Sequence, residues 1–261
     1  MSTTPERPDG ANRGKDSLAL DVDALRRKLG LVKVALIEQW IREVNGPFDG
    51  AIAPHVHGAA VVLDIGCSRG DPDLPSLARG RLFVGVDRDL PGLRGNTLAG
   101  ARVLAPMRCL PFADASADVV VCKWVAEHLE QPCVEFAECR RVLKPGGVLC
   151  LLTPNACSVF TTFSRLIPYR LKQVFKGRLF GLHEEDTFRT YYRANSRRRL
   201  RRLLGGLGFV EEQSAWLPGM WTFFIFSARV AKAVRALEHA QARLPGLRGT
   251  TAYIMGVWRK E

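Results

Sequence analysis

Along the middle of the chain, short apolar runs alternate with polar or helically patterned stretches. The runs AAVVLDIG (59–66), RLFVGVDRD (81–89), ARVLA (101–105), ADVVVCKW (117–124) and VLCLLTPN (148–155) are rich in β-branched residues and bounded by glycine, proline or charge. Such runs read as strands. Between the fourth and fifth, CVEFAECRRVLKPGG carries a helical period and is stopped by Pro145 and Gly146. Continuous rather than alternating apolarity predicts a mainly parallel sheet with helices on both faces, a doubly wound α/β fold.

Upstream, residues 21–46 alternate apolar and charged positions with a period near 3.6, interrupted by Gly30, and predict one or two helices ending at Asn45 and Gly46. Residues 1–20 are polar and contain proline and glycine, with no apolar centre, and are expected to be a disordered lead-in rather than a secretory signal. Residues 21–261 then make one domain with a core over 59–155. An insertion over 156–193 mixes aromatic and basic residues without a clear period, as in a lid over a site. GFVEEQS reads as a sixth strand, a second insertion (216–246) contains a helix beginning near MWTFFIF, and TTAYIMGVWRK is a last strand.

Composition adds three constraints. No apolar run approaches the roughly 20 residues of a membrane span. The seven cysteines, at 67, 109, 122, 133, 139, 150 and 157, are odd in number and form no CxxC pair. They read as reduced thiols of a cytoplasmic protein. Lysine and arginine outnumber acids by 38 to 26, a formal charge of +12. That surplus raises nucleic acid, anionic membrane or a phosphate-bearing substrate as partners. Much of it lies in NSRRRLRRLLGGLGF (195–209), where Leu200, Leu203 and Leu204 recur at helical spacing. That tract reads as an amphipathic helix or as an anion-binding face.

The chemistry is concentrated at the ends of the strands. VVLDIGCSRG turns on Gly66 and Gly70 directly after a strand carrying Asp64, where bare backbone and exposed amides can meet a ligand. The dinucleotide spacing G-x-G-x-x-G is absent. Roughly 20 residues on, Asp87 ends the second strand, a position from which a carboxylate accepts both hydroxyls of a ribose.

From Ala59 to Asn155 the ordered series VLDIGCSRG, VGVDRD, LPFADASADVVVCKWVAEHLEQP and RRVLKPGGVLCLLTPN resembles the class I S-adenosylmethionine-dependent methyltransferases. Within that family it looks like the subgroup that methylates small molecules, quinone precursors, lipids and sugars. The resemblance implies a Rossmann-like sheet of seven strands whose last strand is antiparallel, and S-adenosylmethionine as cofactor. It places Asp64, Gly66, Cys67 and Gly70 along the methionine and ribose portion, Asp87 on the ribose hydroxyls and Arg88 beside the adenine. The family pattern also has an acid four residues before LPF, where this chain has Pro106. Adenine is thereby left to the backbone of Met107 and Arg108 and to stacking. Ser68 replaces the middle glycine of the turn.

Transfer from a sulfonium needs alignment first, and a base only where the acceptor must lose a proton. Two histidines are candidates for catalysis. His128 follows the fourth strand, and its alternative role is to brace the next helix. His183 lies in the lid with Glu184 and Asp186, where the alternative is a solvated loop; His183 and Asp186 alone do not make a metal site, and none is expected. Lys123 and Trp124 stand at the strand end to flank the cofactor, with core packing as the alternative for Trp124. His55 and His57 read as surface residues. The expected acceptor is a small molecule or a lipid- or sugar-like one, methylated on oxygen ahead of nitrogen or carbon. A nucleic-acid methyltransferase and a binding protein without turnover are the alternatives. MWTFFIF, followed by Arg229, Lys232 and Arg235, reads as a cover over the acceptor pocket ahead of peripheral membrane contact. The sequence leaves the oligomeric state open.

Overall fold

A computed structural model describes residues 31–159, 161–162 and 188–261. His183, Glu184, Asp186 and most of the expected lid lie outside the described residues.

Seven strands form one sheet in the order β3-β2-β1-β4-β5-β7-β6: β1 (Val61–Ile65), β2 (Leu82–Asp87), β3 (Ala101–Leu104), β4 (Ala117–Lys123), β5 (Leu143–Pro154), β6 (Phe209–Leu217) and β7 (Tyr253–Lys260). The pairs within β3-β2-β1-β4-β5 are parallel, and β7 runs antiparallel to both of its neighbours. This is the doubly wound architecture expected, with the antiparallel last strand.

Alternation along each strand feeds two cores. On one face Leu63, Ile65, Val120 and Cys122 pack with Phe136 of α4 (Pro132–Val142) and with Leu200 and Leu204 of α5 (Arg197–Gly206). On the other, Val62, Val119 and Val121 meet Phe48, Ile52 and Val56 of α1 (Leu31–Gly58). Two short helices, α2 (Leu74–Leu77) and α3 (Leu90–Gly95), follow β1 and β2.

The helix expected to stop at Asn45 and Gly46 continues to Gly58, through Pro47 and Pro54. Val44, Phe48, Ile52 and Val56 recur every four residues and are fully buried against the sheet. Each such burial is worth about 1.5–3 kcal/mol, so together the four offset the ~3 kcal/mol that each of the two interior prolines costs. Likewise α4 ends at Val142, three residues before Pro145, and Lys144 to Gly147 form an irregularity within β5, where the pairing steps from Ala117–Leu143 to Val119–Val148.

The second insertion is a short 3-10 turn (Met220–Phe224) followed by α6 (Ala228–Arg243), not one helix from Met220. Its inner face rests on α1. Glu43 pairs with Arg235 and His239, and the buried carboxylate of Glu238 accepts from the amides of Gly219 and Trp221 at 3.1–3.3 Å. Glu238→Ala strands those amides without an acceptor and is expected to cost about 1–3 kcal/mol in urea unfolding.

Candidate active site

The strand order reverses between β1 and β4, and a cavity of about 880 Å³ opens at their carboxyl ends. The residues expected to act here converge on it: Asp64 and the 66–70 turn after β1, Asp87 and Arg88 after β2, Pro106, Met107 and Arg108 after β3, and Lys123, Trp124 and His128 after β4.

The glycine turn acts differently from the expectation of free amides. Gly66 (φ +75°) and Gly70 (φ +98°) take left-handed backbone that side chains disfavour. A Cβ on Gly66 would collide with Val125 Cγ2, and one on Gly70 would lie 2.9 Å from Asn96 Oδ1. The amides are used internally: Gly66 and Cys67 donate to the Val86 carbonyl, Gly70 to Cys67. Ser68, also at positive φ, donates to Asp87 Oδ2 at 2.7 Å, and Asp89 donates to Asp87 Oδ1 at 2.8 Å. Both oxygens of Asp87 are therefore oriented by backbone. Each retains acceptor capacity, since a carboxylate offers about four lone-pair sites. Cys67 is buried, its thiol pushed up to about 12, chiefly by burial.

Asp64, Asp71, Asp73 and Asp87 give one wall of the cavity an acidic character. Asp64 is buried and pushed up to about 7, first by desolvation and then by Asp71. Asp49, on α1 and outside the lining, is raised to about 6 by burial. Lys123 pairs with Asp71 and sits 5.9 Å above the Phe48 ring, so it tempers the acidic wall rather than standing free. Arg88 stacks over Phe188.

Two acids escape the sequence pattern. Glu135 of α4 lines the same cavity as Pro106, Met107 and Arg108, with its pKa raised by burial. Glu127 is buried beside β5, where Thr153 Oγ1 donates to its Oε2 at 2.9 Å and Asn195 packs on Thr153. Burial lifts Glu127 to about 7. The folded state thus holds this proton more tightly than the unfolded chain, and stability falls as pH rises from the ordinary carboxylate range through about 7. Melting temperatures across that window should drop less in Glu127→Gln than in the wild type, a difference on the order of 1–3 kcal/mol.

Beside Glu127, His128 Nδ1 lies 2.9 Å from the Arg189 carbonyl. A carbonyl only accepts, so Nδ1 carries the proton, and in the neutral ring Nε2 is the acceptor. The amides of Tyr191 and Tyr192 donate to the Glu127 carbonyl, tying the last residues of the insertion to this corner.

Trp124, held at φ +61°, stacks on Trp40 at 6.1 Å and meets Tyr253 edge-on at 5.1 Å. Beyond this wall lies a second cavity of about 370 Å³, lined by Trp40, Trp124, Tyr253, Met220, Phe223 and Ser158 among others.

Residues 63–151 match the model of the methyltransferase domain family. This segment, about a third of the chain, is similar to the methyltransferase domains of the class I S-adenosylmethionine-dependent enzymes. A probable S-adenosylmethionine-dependent methyltransferase of Mycolicibacterium smegmatis is 34% identical over 153 residues, covering 51% of this chain and 56% of the relative. A ubiquinone biosynthesis O-methyltransferase of Leptothrix cholodnii is 29% identical over 125 residues, 44% and 49% of the two chains. The chain spans about half the length of these curated relatives. Among solved structures, the geranyl diphosphate C-methyltransferase of Streptomyces coelicolor shares the fold at TM-score 0.53 and 16% identity, covering 83% of this chain and 76% of that one.

The cavity suits the family's cofactor by its donor set. A cationic sulfonium with an ammonium and two ribose hydroxyls presents donors and positive charge, and the wall offers Asp64, Asp71 and Asp87 as acceptors. Among the described residues no helix is long and apolar enough to cross a membrane, and no group of three His, Cys, Asp or Glu could hold a metal.

Proposed function

We propose that this methyltransferase moves a methyl group from S-adenosylmethionine to an oxygen of an apolar, small or lipid-linked acceptor. The observation that carries the reading is the aromatic chamber behind Trp40 and Trp124, which shares those two rings with the acid-lined cavity. Bound S-adenosylmethionine supplies an electrophilic methyl group. The residues of this chain do the rest.

Asp87, fixed by two amides, holds the ribose hydroxyls, and the Asp64 and Asp71 wall with Lys123 takes the amino-acid end. Glu135 stands in for the acid missing at Pro106, on the adenine side with Arg88, Met107 and Arg108. Gly66, Cys67 and Gly70 shape the turn behind the ligand. The aromatic chamber selects an apolar acceptor and keeps bulk water away from the methyl group. His128, with its proton on Nδ1, takes the acceptor's proton at Nε2. His183 keeps the role of a second base in this reading.

The nucleic-acid alternative draws less support, because Arg197 and Arg201 of α5 are paired with Glu211 and Arg197 stacks on Trp216.

Titration calorimetry should give heat with both S-adenosylmethionine and S-adenosylhomocysteine; no heat with either overturns the reading. Glu135→Ala should weaken the cofactor by about tenfold or more, as expected for one lost hydrogen bond to a charged group. A metabolite panel incubated with cofactor should then show a mass gain of one methyl group on an apolar hydroxyl compound. Phe223→Ala should raise KM for that acceptor and leave the cofactor Kd unchanged. Binding without any such product would favour a protein that has lost turnover.

A further inference from the structure

α6 is amphipathic in the reverse of the usual sense. Its inward face carries Ala231, Val234, Arg235 and Glu238, the last two engaged with Glu43 and the 219–221 turn. Its outward face is apolar. Phe226, Val230, Ala233, Leu237, Ala240 and Leu244 recur at spacings of four and three and form one stripe along the helix and its two ends. They are exposed, Phe226 by 56%, Val230 by 40%, Leu237 by 69% and Leu244 by 52%. A soluble helix normally turns such a stripe inward, and a continuous exposed one marks a contact surface.

Charge decides what the contact is. Arg229, Lys232 and Arg243 flank the stripe in solvent, and the helix's one acid, Glu238, is buried on the other side. A second copy packing stripe to stripe would bring these cations against one another, at a cost. An anionic lipid surface satisfies both halves: headgroups meet the cations, and the side chains of Phe226, Val230, Leu237 and Leu244 enter the acyl boundary.

We infer that the outward face of α6, from Phe226 to Leu244, is a peripheral docking surface for anionic membranes. The inference does not depend on the acceptor reading. Where that reading holds, docking gains a purpose, because Phe223 lines the aromatic chamber three residues before Phe226 and brings its rim to the lipid.

The test is sedimentation of the full chain with phosphatidylcholine vesicles, with and without phosphatidylglycerol, at low and high salt. Wild type should bind the anionic vesicles, and salt should weaken that binding. Leu237→Glu should reduce binding by about tenfold or more, and Arg229→Glu/Lys232→Glu should abolish the preference for phosphatidylglycerol. These side chains are solvent-exposed, so both variants should keep the wild-type melting temperature and the heat of S-adenosylhomocysteine binding, which separates loss of docking from loss of fold or cofactor. Failure of wild type to bind anionic vesicles overturns the inference, as does equal binding by Leu237→Glu. A concentration-dependent dimer in wild type that Leu237→Glu abolishes would assign the stripe to self-association and also overturn it.

Discussion

Asp87→Ala should weaken S-adenosylmethionine binding by at least about tenfold, since charge-assisted hydrogen bonds are worth about 1.5–3 kcal/mol each. The effect has two sources. The variant removes the acceptor proposed for two hydroxyls, and it leaves the amides of Ser68 and Asp89 without the carboxylate they donate to. Asp87→Asn separates these, because its side-chain oxygen can still accept from one amide while the charge is gone. Calorimetry should therefore rank wild type above Asn above Ala. Undiminished affinity in Asp87→Ala would remove this residue from the cofactor site.

Gly66→Ala should destabilise the fold by about 2–6 kcal/mol, combining left-handed strain of ~1–3 kcal/mol with an overpacking cost of similar size. The overpacking is specific, since the new methyl group would collide with Val125 Cγ2. Shortening the neighbour should thus recover part of the loss. In a cycle of Gly66→Ala, Val125→Ala and the double variant, denaturant unfolding should give a favourable coupling of about 1 kcal/mol or more. Simple additivity would mean that the collision is relieved some other way, leaving backbone strain as the whole effect.

The residues that sequence made legible are those whose neighbours lie close along the chain. Continuous apolar strands gave the parallel sheet because burial on both faces leaves no polar alternation. Gly66 and Asp87 stood out because each ends a strand. What escaped was set by distance. Glu127 reads as an ordinary surface acid beside His128, and its burial arises only when Thr153 and Asn195 fold over it. Glu135 lies one helical turn into α4, and only the cavity relates it to Pro106. The aromatic wall draws on residues 40, 124 and 253, which no local pattern connects. For the length of α1 a signal was present, since Val44, Phe48, Ile52 and Val56 continue the period past Gly46. The stop signal of Asn45 and Gly46 outweighed it in a reading of propensity, and burial reversed that order. His128 was legible as a candidate, but the tautomer that leaves Nε2 as acceptor depends on the Arg189 carbonyl, 61 residues away.

The stacked rings of Trp40 and Trp124 have an optical consequence. Of the five tryptophans, these two stand between the chambers, whereas Trp221 is sealed in the packing of α6 on α1, Trp258 lies in the sheet, and Trp216 lies outside both chambers beneath Arg197 and Arg248. Filling either chamber changes the polarity around an indole pair at its wall and leaves the other three indoles as a constant background. The protein's own emission spectrum can therefore follow ligand arrival at both compartments in real time, without a dye or a label.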